Sequence, residues 1–152
     1  MKHKKIPTTL TNMVMIYDQD GNVLVEDRLN PTWPGITFPG GHVEADEPLV
    51  DAAVREVWEE TGLKVSQLEL CGIKDWLEAD GSRYLVLLYK TQTFSGQVKS
   101  SREGNIFWTK LADLKQLKLA SGMETMLEVF LSPKYSEHYL DTTNGRHDNL
   151  LK

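Results

Sequence analysis

The sequence contains very little cysteine and no long apolar run. Cys71 is the single cysteine among 152 residues, which excludes an internal disulfide and leaves no CxxC pair for a structural zinc ion. The longest apolar runs, such as residues 84–89, are far shorter than the ~20 residues that a membrane-spanning helix needs. Polar residues interrupt the segment after the basic N-terminus, so it does not resemble a signal peptide. We therefore expect a cytoplasmic protein without a membrane partner.

The chain also has no excess of basic residues. It carries 17 Lys and Arg against 22 Asp and Glu, a formal net charge of −5, which argues against a broad surface for a nucleic acid polymer. Apolar residues make up 40% of the chain and charged residues 26%, as in ordinary globular proteins. The length is typical of one domain, and no repeat or linker divides it. We expect residues 1–152 to form a single domain that handles a small molecule.

Hydrophobic patterns and turn residues predict several strands. A first strand over residues 9–17 is expected to form a hairpin with residues 22–26, across the turn at residues 18–21. A second pair is expected from residues 65–76 and 84–93, with shorter strands at 36–38 and 105–110. The polar C-terminal extension, residues 133–152, contains the turn signal Asn144-Gly145, which fits either a hairpin or a frayed tail.

Two segments have the pattern of amphipathic helices. Residues 47–61 are framed by Pro48 in the first turn and Gly62 just after the end. Their apolar stripe comprises Val50, Ala53, Val54 and Val57. Residues 121–130 have a second stripe of Met123, Met126, Leu127 and Phe130. This order of elements predicts an α/β (α+β) fold in which helices pack on a mixed sheet.

The first predicted helix carries an unusual concentration of carboxylates. Glu56, Glu59 and Glu60 occur at spacings i, i+3 and i+4, so a helix places them on one face, where like charges repel. A solvated acidic face and a site for a hard cation such as Mg²⁺ are both consistent with this spacing. Arg55 is close enough in the helix to orient these carboxylates. The pair Gly40-Gly41 allows the backbone to approach the helix closely.

The same segment resembles the signature of the Nudix family. Gly41 is followed after five residues by Glu47 and after seven more by Arg55-Glu56-Val57-Trp58-Glu59-Glu60-Thr61-Gly62-Leu63. Every fixed position of the Nudix box is filled in this span of 23 residues. Such a match by chance is expected in fewer than roughly one in a million chains of this length. The resemblance implies the family's α/β/α sandwich.

The resemblance also implies roles for the residues of the box. Glu59 and Glu60 match the principal Mg²⁺ ligands, and the Gly40 carbonyl matches a further ligand. Glu56 matches the carboxylate that assists a metal ligand or deprotonates the attacking water. The remaining positions support the site: Arg55 orients the glutamates, Glu47 is an outer carboxylate and Gly41 begins the box.

Outside the box, the resemblance to MutT-type members implies further site residues. Glu103 is similar to a loop glutamate that supplies a metal ligand or base, although an exposed loop glutamate is an equal alternative. Arg28 is similar to a phosphate-binding arginine, with a plain surface arginine as the alternative. Trp33 and Phe38 lie in the segment that would face the site, where either ring can stack on a base or belong to the core.

The expected activity follows from the family resemblance. Nudix enzymes hydrolyse a nucleoside diphosphate linked to another group, with Mg²⁺ or, as a substitute, Mn²⁺. The resemblance favours a (d)NTP such as 8-oxo-dGTP, cleaved to a nucleoside monophosphate and pyrophosphate. One alternative is a family member that acts on ADP-ribose or a dinucleotide. Another is a catalytically silent module that binds a nucleotide. Such proteins are monomers or homodimers.

Overall fold

The computed structural model describes residues 2–102 and 104–152. Its strands are, in chain order, β1 (Thr8–Ile16), β2 (Asn22–Arg28), β3 (Gly35–Thr37), β4 (Lys64–Ser66), β5 (Glu69–Leu77), β6 (Arg83–Thr91), β7 (Thr93–Ser95), β8 (Gly104–Lys110), β9 (Glu137–Asp141) and β10 (Asp148–Leu151). The α-helices are α1 (Leu49–Thr61) and α2 (Met123–Leu131), and 3-10 turns cover Leu111–Gln116 and Thr143–Gly145.

The largest sheet is mixed and has the strand order β1-β6-β5-β9-β10. The pairs β1–β6 and β5–β9 are parallel, whereas β5–β6 and β9–β10 are antiparallel. A second, antiparallel sheet has the order β3-β2-β8, and β4 pairs with β7. Residues 133–152 therefore contain a hairpin, β9–β10, that extends the main sheet at the edge of β5.

Alternating side chains of the central strands face two separate cores. In β1, Met13 and Met15 join the core beneath α2, and Val14 and Ile16 join the core beneath α1. This alternation is the period of two that a strand imposes on its side chains. The helices consequently lie on opposite faces of the strands, which confirms the α/β fold with a mixed sheet between helices.

The predicted hairpin between the first two strands is wrong. The turn forms, with the Asp18 carboxylate accepting hydrogen bonds from the N–H groups of Asp20 and Asn22. Beyond the single bridge Tyr17–Val23, however, the strands separate into different sheets, and β1 pairs with β6. Both strands are buried on two faces, and a solvent-exposed two-stranded ribbon does not provide that burial.

Two smaller expectations also need correction. The strand predicted over residues 65–76 is interrupted at Gln67, whose φ of 53° breaks the extended backbone and separates β4 from β5. Val50, placed on the buried stripe of the first helix, is exposed, whereas Ala53 and Val57 are fully buried. The stripe of the second helix is correct, since Met123, Met126, Leu127 and Phe130 are all buried. No helix within the described ranges is long and apolar enough to cross a membrane.

Candidate active site

Helix α1 presents two carboxylates of the sequence motif, those of Glu56 and Glu60, to a cavity. The helix begins after Pro48, whose backbone is extended, and ends at Gly62, which adopts the left-handed conformation with φ of 78°. Ala53 and Val57 are buried in the core beneath it. Because the apolar stripe fixes the rotation of the helix, Glu56 and Glu60 lie on the wall of a cavity of about 980 Å³.

Arg55 connects the carboxylates of this face. Its Nε and Nη2 donate to the two oxygens of Glu47, at 2.9 and 2.6 Å. Its Nη1 donates to Glu56 at 3.0 Å and to Glu59 at 3.2 Å, and Nη2 also donates to the His42 carbonyl at 3.0 Å. The hydrogen bonds from Arg55 lower the pKa of Glu47 to about 2, and those carboxylates raise the pKa of Arg55 above its ordinary value. Glu47 and Arg55 therefore stay charged at neutral pH.

The two glycines bring backbone against the carboxylates. The Gly40 N–H donates to Glu60 Oε2 at 3.0 Å, and the Gly41 N–H donates to Asn12 Oδ1 at 3.2 Å. A Cβ atom at Gly41 would lie 2.3 Å from the carboxyl carbon of Glu56. One at Gly40 would lie 2.1 Å from the Asn12 carbonyl oxygen. Any side chain at either position would thus displace the strand or the glutamate.

The donor chemistry of this wall fits a hard divalent cation. Glu56 and Glu60 line the cavity, and Glu60 is only 4% exposed. Carboxylate and carbonyl oxygens are the ligands that Mg²⁺ and Mn²⁺ prefer. Glu59 accepts a hydrogen bond from the same Arg55 nitrogen as Glu56, but its side chain is 54% exposed and does not line the cavity. Among the described residues no group of three His, Cys, Asp or Glu side chains is arranged to hold a metal ion.

The other predicted residues fall into three situations. Arg28 lines the cavity, where its Nε donates to the Trp33 carbonyl at 3.2 Å and its guanidinium lies 5.3 Å from the centre of the Trp33 ring. Phe38 borders the cavity but is only 2% exposed, and its ring meets Phe130 edge to face at 5.2 Å. Little of that ring is therefore available for stacking on a base. Glu103 lies outside the described residues.

Sequence analysis missed the far end of the cavity. Lys74, Trp76 and Tyr84 line it from the main sheet, and Asn149 lines it from the C-terminal hairpin. The rings of Trp76 and Tyr84 stack at 4.3 Å with an angle of 10° between their planes. Lys74 gave one signal in the sequence, since it is a charged residue inside a predicted strand, and the structure buries it. Its neighbours come from distant parts of the chain, which the pattern of one strand does not identify.

Comparison with known proteins gives a family match over most of the chain. The model of the NUDIX domain matches residues 7–130. An uncharacterized Nudix hydrolase from Bacillus subtilis, YvcI, is 28% identical over 127 residues, which are 80% of this chain and 78% of that protein. The phosphatase NudJ from Escherichia coli K12 is 43% identical over 82 residues, 53% of this chain and 52% of that protein.

The same comparison extends to solved structures. The crystal structure of the MutT protein from Bacillus halodurans superposes with a TM-score of 0.77 at 25% identity. The match covers 95% of this chain and 97% of that protein.

Proposed function

The chain belongs to the Nudix hydrolase family, and on that premise we propose a metal-dependent hydrolase of a nucleoside diphosphate linked to another group. The proposed substrate is a nucleoside triphosphate such as 8-oxo-dGTP, with a nucleoside monophosphate and pyrophosphate as products. The observation that carries the proposal is the position of Glu56 and Glu60 on the wall of a cavity of about 980 Å³. A cavity of this size accommodates a nucleotide-sized ligand.

The residues of the wall have distinct proposed roles. Glu59, Glu60 and the Gly40 carbonyl would hold the cation, and Glu56 would assist them or accept the proton of the attacking water. A bound Mg²⁺ or Mn²⁺ ion supplies positive charge for the phosphate oxygens and lowers the pKa of water. Glu103 is proposed as a further carboxylate of the site. An acidic protein needs such a cation to bind a polyanion, because its carboxylates otherwise repel the phosphates.

The reaction needs one proton acceptor and a positioned polyphosphate. Water attacks one of the two phosphorus atoms that share the oxygen between the α- and β-phosphates, and the bond from that phosphorus to the shared oxygen breaks. This releases a nucleoside monophosphate and pyrophosphate, and a proton of the water passes to a carboxylate. A positioned base of this kind contributes about 10²–10⁴-fold to the rate. Arg28, which lines the cavity, is proposed to bind a phosphate oxygen. Arg55 orients Glu56 and Glu59 through its hydrogen bonds.

We propose that the protein acts in the cytoplasm. Cys71 is partly buried, and burial raises the pKa of its thiol to about 11. A thiol with so high a pKa is little ionised at neutral pH and reacts slowly with oxidants. The oligomeric state, monomer or homodimer, stays a prediction.

Replacing the proposed metal ligands tests the function. Glu59→Gln and Glu60→Gln each keep the shape of the side chain and remove its charge, and we expect turnover to fall by about two orders of magnitude or more. The control is Glu124→Gln, an exposed residue in the first turn of α2. Pyrophosphate release under saturating Mg²⁺ is the measurement. Full activity in Glu59→Gln would remove Glu59 from the metal site.

A further inference from the structure

Lys74 is a buried cation that faces the cavity. It is 7% exposed and lies on the cavity wall. Within residues 2–102 and 104–152, its ammonium group makes no hydrogen bond and no ion pair. Two indole rings surround it instead, with Nζ 5.5 Å from the centre of the Trp33 ring and 5.4 Å from that of Trp76.

These contacts compensate the burial of the charge only in part. Removal from water lowers the pKa of Lys74 to about 8, so burial has made the charged form less favourable. Cation–π contacts are weaker than the cost of transferring an unpaired charge from water. The ammonium therefore keeps hydrogen-bonding capacity that the described residues do not use. A ligand acceptor in the cavity would use it.

The position of Lys74 relative to the glutamates suits a nucleoside. His42, Thr11, Val86 and Lys74 are successive cross-strand partners, and all four line the cavity. Three strand spacings separate the first from the last, about 14 Å between backbones. His42 directly follows Gly41, which lies against Glu56. A nucleotide with its phosphates at the glutamates would extend its base toward Lys74.

The surroundings of Lys74 favour a flat ring over a phosphate group. Most of the wall around Lys74 is aromatic or apolar, from Trp33, Trp76, Val86, Met126 and Leu140. The polar exceptions include Asn149 and Arg28, whose guanidinium lies 5.3 Å from the centre of the Trp33 ring. Trp33 is held in place because its indole N–H donates to the Ser121 carbonyl at 3.0 Å. Aromatic walls with a few convergent polar groups are typical of sites for planar ligands. A phosphate, by contrast, is usually bound by several cations or backbone N–H groups.

Gly122 keeps this end of the cavity open. A Cβ atom there would lie 3.3 Å from Lys74 Nζ and 3.4 Å from Asn149 Oδ1. The ammonium is a donor only, so its partner on a base must be an acceptor. Guanine and thymine offer a carbonyl oxygen at the position where adenine and cytosine carry an amino group, which is itself a donor.

We propose that Trp33, Lys74 and Trp76 form the nucleobase subsite and that Lys74 donates to a ring carbonyl oxygen. The chain then prefers 6-oxopurine and 4-oxopyrimidine nucleotides to their amino counterparts. This inference rests on the proposed function, because it places the phosphates of the ligand at the glutamates. It adds the chemical class of the base that the cavity selects.

Two matched nucleotide pairs test the preference in the wild-type protein. dITP and dATP differ at purine position 6, and dUTP and dCTP differ at pyrimidine position 4. A hydrogen bond to a charged donor changes kcat/KM by about tenfold or more, and we expect dITP and dUTP to be the better substrates by this factor. Equal rates within both pairs, or a preference for the amino nucleotides, would overturn the proposal without the need for any variant.

The variant Lys74→Met assigns the preference to this residue. It keeps the length of the side chain and removes the donor, and we expect the preference for the oxo nucleotides to shrink toward unity. Lys90→Met is the matched control, since Lys90 lies half-buried on the same sheet and outside the cavity. A preference that survives in Lys74→Met, with thermal unfolding like that of the wild type, contradicts the assignment.

A binding measurement separates this proposal from the hydrolytic one. Binding of dIMP, dAMP and inorganic pyrophosphate is measured by tryptophan fluorescence in the presence of EDTA. This measurement requires no turnover. Tighter binding of dIMP that Lys74→Met abolishes supports the subsite, even if no triphosphate is hydrolysed. The opposite result is a fluorescence change with pyrophosphate that depends on Lys74, together with equal binding of dIMP and dAMP. It would show that Lys74 binds phosphate and would overturn the proposal.

Discussion

Arg55 is the residue on which the arrangement of the carboxylates depends most directly. Its guanidinium donates to both oxygens of Glu47 and to one oxygen each of Glu56 and Glu59. A lysine has one ammonium group and does not reproduce this planar set of donors. We expect Arg55→Lys to lower kcat/KM by about 10–100-fold, the usual effect of losing a residue that orients metal ligands.

The matched control for this change is Arg83→Lys. Arg83 also forms an ion pair with a buried carboxylate, that of Asp75, but does not line the cavity. Steady-state kinetics together with thermal unfolding separate the two effects. Similar losses of activity in both variants would indicate that Arg55 stabilises the fold and does not orient the site.

Gly41 provides a second test at the scale of one residue. A methyl group in Gly41→Ala would meet the Glu56 carboxyl at 2.3 Å, so the glutamate or the loop must move. A displacement of about 1 Å in an active site costs about 10²-fold in rate, and we expect a loss of this size in kcat.

Gly81→Ala is the control for the general effect of adding a methyl group. A Cβ atom at Gly81 meets nothing within 4 Å, although its φ of +85° makes alanine strained there. We expect Gly81→Ala to lose some stability and keep its activity, whereas Gly41→Ala loses activity. Unchanged kcat in Gly41→Ala would mean that the position of Glu56 is not critical.

Among the elements, the two strands of the C-terminal hairpin are linked to each other through His138. This residue of β9 is fully buried, and its Nε2 donates to Asn149 Oδ1 of β10 at 2.7 Å. Burial is the main reason that the pKa of His138 falls to about 4, below the ordinary 6.5. Lys74, close to the ring, lowers this pKa further, while Asn149 and Asp75 act to raise it.

This pKa predicts how stability depends on pH. Between pH 6.5 and 4 the unfolded chain takes up a proton at His138 and the folded chain does not, so the free energy of unfolding falls as the pH falls. The contribution of this residue reaches at most about 3 kcal/mol. Above pH 6.5 both states are neutral, and below pH 4 both are protonated, so this dependence is confined to the interval between.

Denaturant unfolding at several pH values is the measurement for His138. We expect His138→Gln, which does not titrate, to show a smaller loss of stability from pH 6.5 to 4 than the wild type. His147→Gln, at an exposed position near the same hairpin, should behave like the wild type. An identical pH dependence in His138→Gln would show that the histidine is not neutral in the folded state.

The elements that sequence patterns predicted correctly are those with local signals. Helix α1 ends at Gly62 as expected, whereas Pro48 lies directly before its first residue and not in its first turn. The hairpin between β1 and β2 was wrong because pairing depends on burial in the whole molecule. The turn at Asp18 forms, but both strands have two buried faces and pair with strands far away in sequence.

For the molecule as a whole, the sequence located one end of the cavity and not the other. The glutamates lie within one short motif, so their spacing alone places them on one helix face. Lys74 acquires its surroundings from Trp33, Gly122 and Asn149, which long-range packing brings together. A site assembled from four separate elements leaves no fixed spacing in the sequence.

The distribution of charge across the molecule leads to the central claim. The chain has a net charge of −5, and its carboxylates occupy one end of the cavity while Arg28 and Lys74 line other parts. Triphosphate binding at the acidic end requires a cation to reverse the local sign. Metal-dependent pyrophosphate release is therefore what the proposed function predicts most directly.

The most direct test is pyrophosphate release from 8-oxo-dGTP, dGTP and the other dNTPs, with Mg²⁺ and with EDTA. The wild type and Glu60→Gln are compared at the same protein concentration. We predict pyrophosphate release with Mg²⁺, none with EDTA and a severe loss in Glu60→Gln. The account would be contradicted if pyrophosphate release persisted in EDTA or in Glu60→Gln. It would also be contradicted if the folded wild type hydrolysed no nucleotide of the panel with Mg²⁺.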